Sequence, residues 1–318
     1  MHVKRSFAAC ALLLSLLAGC TSAAVQDPAG SSAVLGGTPP ASATPEPTPT
    51  PSPTPTPTPT PSPTPTPTPA PTPEPTPTPE PVEPYEFGTP LEESEPVEDD
   101  SFFDTAVFLG DSRTEGFQLF SGLKHGDFYW GRGMTVFRAR SEDYRVFEVE
   151  GQKYNMLEAL ALERYESVYI MLGVNELGYP AESFESGLGE LLDDIVALQP
   201  EAVIYLQIMP PLNDAMCRAN GLQGYINNAN LAAFNEAIVR LAQAKKLVLL
   251  DTAAAYTGED GQLPAELAND GCHFAYSAYS RWADYLRAHV MDRERYFRNR
   301  ELALSSLQAD VPAATPES

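Results

Sequence analysis

The apolar run Val107-Phe108-Leu109 stops abruptly at Gly110-Asp111-Ser112-Arg113, the pattern of a buried strand that delivers a serine at its end. In an open α/β sheet the carboxyl ends of the strands are where ligands bind. A serine hydroxyl is a poor nucleophile unassisted; it needs a base within hydrogen-bond reach and a third group that orients the base. The chain has four histidines. His2 lies in the N-terminal leader, His125 in the turn Lys124-His125-Gly126-Asp127 and His289 within a helical stretch, where surface or packing roles are the simpler reading. His273 is the natural base, and Asp270, three residues earlier on one loop turn, can reach its ring nitrogen and fix the tautomer. The same carboxylate has a plainer reading, because Asn269-Asp270-Gly271 is also good turn chemistry.

Elements that could position these groups alternate regularly. After the strand at Val107, Thr114 to Leu123 reads as a short helix, Phe128 to Gly133 as a strand or loop, and Tyr144 to Asn155 as a hairpin around Glu150-Gly151-Gln152. Met156 to Arg164 is helical. Ser167 to Leu172 is a second buried strand, which again ends at a glycine, Gly173. Phe184, Leu188, Leu191, Leu192, Ile195 and Leu198 follow helical spacing up to Pro200. Ala202 to Ile208 and Leu247 to Leu250 are further strands, with the helix Asn228 to Ala244 between them and one long helix, Tyr276 to Phe297, closing the domain. Short apolar strands alternating with such helices predict a three-layer α/β/α sandwich around a central, mainly parallel sheet.

The flanks have a different character. Met1 to Cys20 carries Lys4 and Arg5, an apolar run from Phe7 to Leu17, and Leu17-Ala18-Gly19-Cys20, which reads as a bacterial signal peptide. Its ending resembles a lipobox, which makes Cys20 the expected lipidation site and membrane anchor. Residues 21–100 are expected to be a disordered linker: Thr44 to about Pro81 alternates proline with Thr, Ser, Glu or Ala, and Val82 to Asp100 is acidic. At about 3.1 Å per residue, roughly 40 extended residues span on the order of 100 Å, enough to hold a domain away from a membrane and through a cell wall. Residues 301–318 are expected to be a disordered tail, leaving 101–300 as one domain. A formal net charge of −23, from 20 Lys+Arg against 43 Asp+Glu, excludes a nucleic-acid surface. Of the four cysteines, Cys217 and Cys272 fall in the domain, with a disulfide between them left open.

With these elements in place, the domain resembles the SGNH hydrolases, also called GDSL-type esterases, whose fold is flavodoxin-like. Its blocks match Gly110-Asp111-Ser112, Gly133 in Gly131-Arg132-Gly133-Met134-Thr135, Gly173-Val174-Asn175-Glu176, and Asp270-Gly271-Cys272-His273, in the family's order. The resemblance implies Ser112 as nucleophile with His273 and Asp270, and an oxyanion hole from the backbone amides of Ser112 and Gly133 and the side-chain amide of Asn175. Asp111 is expected to shape the turn after the strand. Arg113 stands where the family's name has leucine, and either favours anionic substrates or points to solvent. Glu176 replaces the aspartate of the GxND block, and Cys272 is expected to be buried or paired rather than nucleophilic.

The resulting expectation is an extracytoplasmic, lipid-anchored serine esterase acting on O-acetyl or other short acyl esters, with cell-wall or other glycans as candidate substrates. It needs no cofactor and no metal, and no obligate protein partner is readable. Glycan O-acyltransfer and a catalytically silent glycan-binding module are the alternatives.

Overall fold

The computed structural model describes residues 83–309. The leader with Cys20, the proline-rich segment up to residue 82 and the last residues of the tail lie outside the described residues. The sheet consists of β1 (Ala106–Gly110), β2 (Asp127–Trp130), β5 (Ser167–Met171), β6 (Val203–Gln207) and β7 (Val248–Leu250). Its order is β2-β1-β5-β6-β7 and every pairing in it is parallel. A separate antiparallel hairpin joins β3 (Phe147–Val149) to β4 (Gln152–Tyr154), with Glu150 and Gly151 at positive φ in its turn.

Helices cover the sheet in two groups. On one side α1 (Ser112–Phe120) packs with α7 (Tyr279–Ala288); on the other, α2 (Val136–Arg140), α3 (Met156–Leu160), α4 (Ala181–Leu198) and α6 (Asn228–Lys245) pack among themselves. The short α5 (Asp214–Ala219) and the terminal α8 (Arg293–Ala309) complete the set. Covering both faces explains why β1, β5 and β6 are buried at every position and read as unbroken apolar runs rather than alternating ones. The chain is therefore a three-layer α/β/α sandwich with a central parallel sheet.

In-register pairing lines up one aromatic from each of four strands. Phe128, Phe108, Tyr169 and Tyr205 stack in sequence, with centroid separations of 4.7, 4.9 and 4.5 Å. Such a cross-strand ladder pins the register of β1, on which the placement of Ser112 depends.

Three boundaries differ from the sequence expectation. Residues 83–99, expected as linker, belong to the fold: residues 85–91 meet the β7 edge, where Leu91 N–H donates to Leu249 O at 2.8 Å, Leu249 N–H donates to the Tyr85 hydroxyl at 3.0 Å and Phe87 and Leu91 are buried, while Ser94 N–H and Val97 N–H donate to Ala288 O and Arg287 O at the end of α7. Their acidic and proline-rich composition hides three apolar side chains, Tyr85, Phe87 and Leu91, that cover an otherwise open strand edge. The expected helix from Tyr276 to Phe297 is broken between α7 and α8 because Met291 is buried and exchanges hydrogen bonds with the Tyr205 hydroxyl. Asp292 then caps α8, which continues beyond residue 300 into the expected tail, by accepting from Arg295 N–H at 2.7 Å.

Candidate active site

In the 2-1-3-4-5 arrangement of the parallel strands, β1 is where the chain reverses its direction of travel across the sheet, and the crevice beyond β1 and β5 is the expected ligand site of such a fold. Ser112 follows β1 and Asn175 follows β5. Asp111 is the N-cap of α1, its side chain accepting from Arg113 N–H at 2.8 Å, so Ser112 becomes the first helical residue. The amide of a first helical residue has no acceptor within its own helix and is free to face a ligand.

The loop before α7 supplies the other partners. Ser112 Oγ lies 2.9 Å from His273 Nε2, and His273 Nδ1 lies 2.7 Å from Asp270 Oδ2. Asp270 Oδ1 accepts from the backbone amides of Cys272, at 2.8 Å, and His273, at 2.7 Å. The two readings of this carboxylate are thus both realised, one oxygen closing the turn and the other holding the ring. Burial pushes the Asp270 carboxyl up, but the His273 ring and the two amides more than offset this and hold it well below the usual carboxylate range. Gly271 is obligatory within the turn: its φ is +96°, and a Cβ there would sit 2.5 Å from the Cys217 amide nitrogen.

Gly133 and Asn175 line one cavity of about 560 Å³ together with Thr135, Phe137, Arg138 and Tyr179. Gly131 N–H already donates to Gly110 O at 3.3 Å, whereas Gly133, at φ +68°, sits on the cavity wall with Arg138 Nη1 donating to its carbonyl at 2.6 Å. The Asn175 side-chain nitrogen donates to Met134 O at 2.9 Å and, more loosely, to Asp111 Oδ2 at 3.3 Å. Turning a proton toward a substrate oxygen therefore requires only the longer of these bonds to yield.

Asp111 shapes the turn after β1 as expected, and it, Glu176 and Arg113 make further contacts that the sequence does not disclose. Asp111 both caps α1 and meets the Asn175 amide, and its burial raises its carboxyl. Glu176 is fully buried; its Oε1 accepts the Val136 amide at the start of α2, while its Oε2 has no partner among the described residues. Burial pushes its carboxyl up to about 8, the Asp111 charge adding to this and the Val136 amide opposing it. Arg113, expected to face solvent or substrate, does neither: it is buried behind the serine. No local signal marks these burials, since Asp111 and Arg113 lie in the polar run Gly110-Asp111-Ser112-Arg113-Thr114-Glu115.

The remaining candidates are placed plainly. Cys217 and Cys272 are buried free thiols, and burial raises both, Cys217 to about 11, so neither is poised as a thiolate. His125 pairs with Asp104, and His289 Nδ1 lies 2.8 Å from Tyr285 O. Among the described residues no group of His, Cys, Asp and Glu is arranged to hold a metal ion, and no helix is long and apolar enough to cross a membrane.

A serine, a histidine and a carboxylate in hydrogen-bonded series at the switch point of a parallel sheet define the class as a hydrolase-type α/β protein. The sequence profile of the GDSL-like Lipase/Acylhydrolase family matches residues 108–281, more than half of the chain, and the chain belongs to that family of esterase- and lipase-type hydrolases. Solved structures to which the chain is similar include a GDSL-like lipase from Bacteroides thetaiotaomicron, at 15% identity and a TM-score of 0.43, covering 67% of this chain and 92% of that one. An acetyl xylan esterase, at 17% identity and a TM-score of 0.42, covers 58% and 99%. A protein from Streptococcus pneumonia described as a platelet activating factor, at 19% identity and a TM-score of 0.46, covers 57% and 82%. No curated protein matches the chain.

Proposed function

We propose that the protein is a serine esterase that removes O-acetyl or other short acyl groups from glycans. The observation that carries this reading is the continuous series from Ser112 through His273 to Asp270, with links of 2.9 and 2.7 Å. Ser112 Oγ attacks the ester carbonyl carbon while its proton passes to His273 Nε2. The oxyanion that forms is met by the Ser112 and Gly133 amides and the Asn175 side-chain amide, each a fixed neutral donor. Collapse expels the alcohol, which takes the proton from His273. Water, deprotonated by the same ring, then releases the acyl group as a carboxylic acid. Asp270 keeps the imidazole in one tautomer throughout.

The glycan assignment is supported by the half-exposed rings of Phe137 and Tyr179, 5.8 Å apart on the wall of the cavity that holds Gly133 and Asn175. Rings of this kind offer apolar faces to a sugar while Thr135 and Arg138 supply polar contacts. An acetyl xylan esterase among the proteins of like fold is consistent with such a substrate class. We place the enzyme outside the cytoplasm, anchored by lipidated Cys20 and held away from the membrane by its proline-rich spacer, a reading supported by the leader and linker sequence.

The direct test is hydrolysis of an aryl acetate by the full chain beside Ser112→Ala, followed by acetate release from a panel of acetylated glycans. Equal rates for the two proteins would sink the serine mechanism. Movement of acetyl to an added glycan, without net release, would instead mark an acyltransferase. A Cys20→Ala protein that stayed membrane-bound would contradict the anchor.

A further inference from the structure

We infer that Arg113 is a positioning residue for the catalytic histidine, its guanidinium gripping both chain neighbours of His273 from behind the nucleophile. The inference rests on the reading of Ser112 and His273 as the working pair. Arg113 immediately follows Ser112 and is 1% exposed. Its Nε donates to the carbonyl of Cys272, on one side of His273, at 3.0 Å. Its guanidinium carbon lies 5.3 Å from the ring centroid of Phe274, on the other side. Nη1 donates to Pro210 O, beyond the end of β6, at 3.2 Å. One side chain therefore ties the start of the nucleophile helix, the histidine loop and the end of a core strand into a single unit.

The grip is effective because its holds are themselves rigid. Phe274 stacks on Tyr256 at 4.1 Å and meets Tyr279 edge-on at 5.3 Å. His273 O accepts from Asn269 N–H at 2.8 Å, which closes the loop on the other side. Ser112 and Arg113 are adjacent on one helical turn, so whatever fixes the Arg113 side chain relative to Cys272 and Phe274 also fixes Ser112 Oγ relative to His273 Nε2.

Physical cost supports a geometric role. A guanidinium taken out of water loses solvation that carbonyls and a ring face repay only in part, and Nη2 has no partner among the described residues. A leucine would avoid that loss but, three heavy atoms shorter, would leave the far end of the site unfilled and could hold neither carbonyl. Lysine keeps the charge but presents a compact ammonium rather than a planar fork, so it can reach one hold and not all three.

The test uses the full chain, p-nitrophenyl acetate and proton NMR. The His273 Nδ1 proton, bonded to the Asp270 carboxylate, gives a far-downfield resonance that is assigned by its loss in His273→Ala. In Arg113→Leu we expect kcat to fall by about 100-fold, the cost of a displacement of about an ångström at a reacting pair. KM should stay within about twofold, and the downfield proton should broaden or vanish. Arg113→Lys should recover part of both signals. If Arg113→Leu does not fold, the lysine variant decides on the same two readouts, with a partial loss of both supporting the inference. An unchanged kcat, or a reduced kcat with an unaltered downfield proton, overturns it. Failure of the underlying serine reading shows separately, as undiminished turnover by Ser112→Ala, while the downfield proton still reports whether Arg113 holds the imidazole.

Discussion

Asp270 and His273 are joined twice: one carboxylate oxygen meets the ring Nδ1 at 2.7 Å and the other accepts the backbone amide of His273 itself at 2.7 Å. Orientation of the ring and closure of the loop are thus the work of one side chain. In Asp270→Asn an amide oxygen can still close the turn, but the group facing Nδ1 either donates or loses its charge, and the wrong tautomer is favoured. On the proposed serine mechanism we predict a fall in kcat of about 10,000-fold with KM little changed, as when a Ser-His-Asp triad loses this carboxylate, measured by steady-state aryl acetate hydrolysis.

The same residue gives a pH dependence. The folded protein holds Asp270 below its ordinary range, so the unfolded chain binds the proton more readily. The stabilisation is complete above the ordinary carboxylate range and disappears as pH falls below it. Thermal midpoints of the wild type and Asp270→Asn should therefore converge on acidification from neutral pH, and a constant gap would contradict the assignment.

Glu176 has the opposite sign. Burial pushes its carboxyl up to about 8, so the folded state keeps a proton that the unfolded chain loses from its ordinary value of 4.5 upward. Stability should fall between those values, by at most about 1.4 kcal/mol per pH unit for one proton. Glu176→Gln, which keeps an acceptor for the Val136 amide, should match the wild type near pH 5 and exceed it near pH 9 in urea denaturation. A residual slope from buried Asp111, which is also raised, is expected in both proteins.

Phe87 tests whether the segment before Ser101 belongs to the fold. It is 5% exposed and meets the rings of Tyr85 and Tyr296 edge-on. Removing the ring in Phe87→Ala should cost about 3–5 kcal/mol by the usual measure for buried aromatics. Chemical denaturation of the full chain would show it, and an unchanged midpoint would mean the segment only rests on the surface.

Tyr179 tests the proposed glycan site. It is 54% exposed and shares a cavity with Asn175 and Gly133. Tyr179→Ala should raise KM for an acetylated oligosaccharide by about 10-fold, as for the loss of 1–2 kcal/mol of binding, while hydrolysis of p-nitrophenyl acetate stays unchanged. Equal effects on both substrates would place the glycan elsewhere.

Much of the fold and of the candidate site is legible in the sequence because it is written in local patterns. Unbroken apolar runs mark strands that are covered on both faces, a serine directly after such a run stands at the sheet's ligand-binding end, and an aspartate three residues before a histidine can meet it within one turn. What only the tertiary structure decided are relations without local signal. Ser112 and His273 are 161 positions apart, and their 2.9 Å contact exists because parallel strands bring all their carboxyl ends to one edge. Residues 83–99 look like linker by composition, yet a few apolar side chains suffice once the β7 edge is there to receive them. A helix predicted to be continuous breaks where burial of Met291 on Tyr205 outweighs helical propensity. Arg113 reads as a charge facing substrate or solvent, and nothing in the sequence marks Glu176 as buried, until packing encloses both, since burial is a property of what lies across the core and not of a residue's neighbours in the chain.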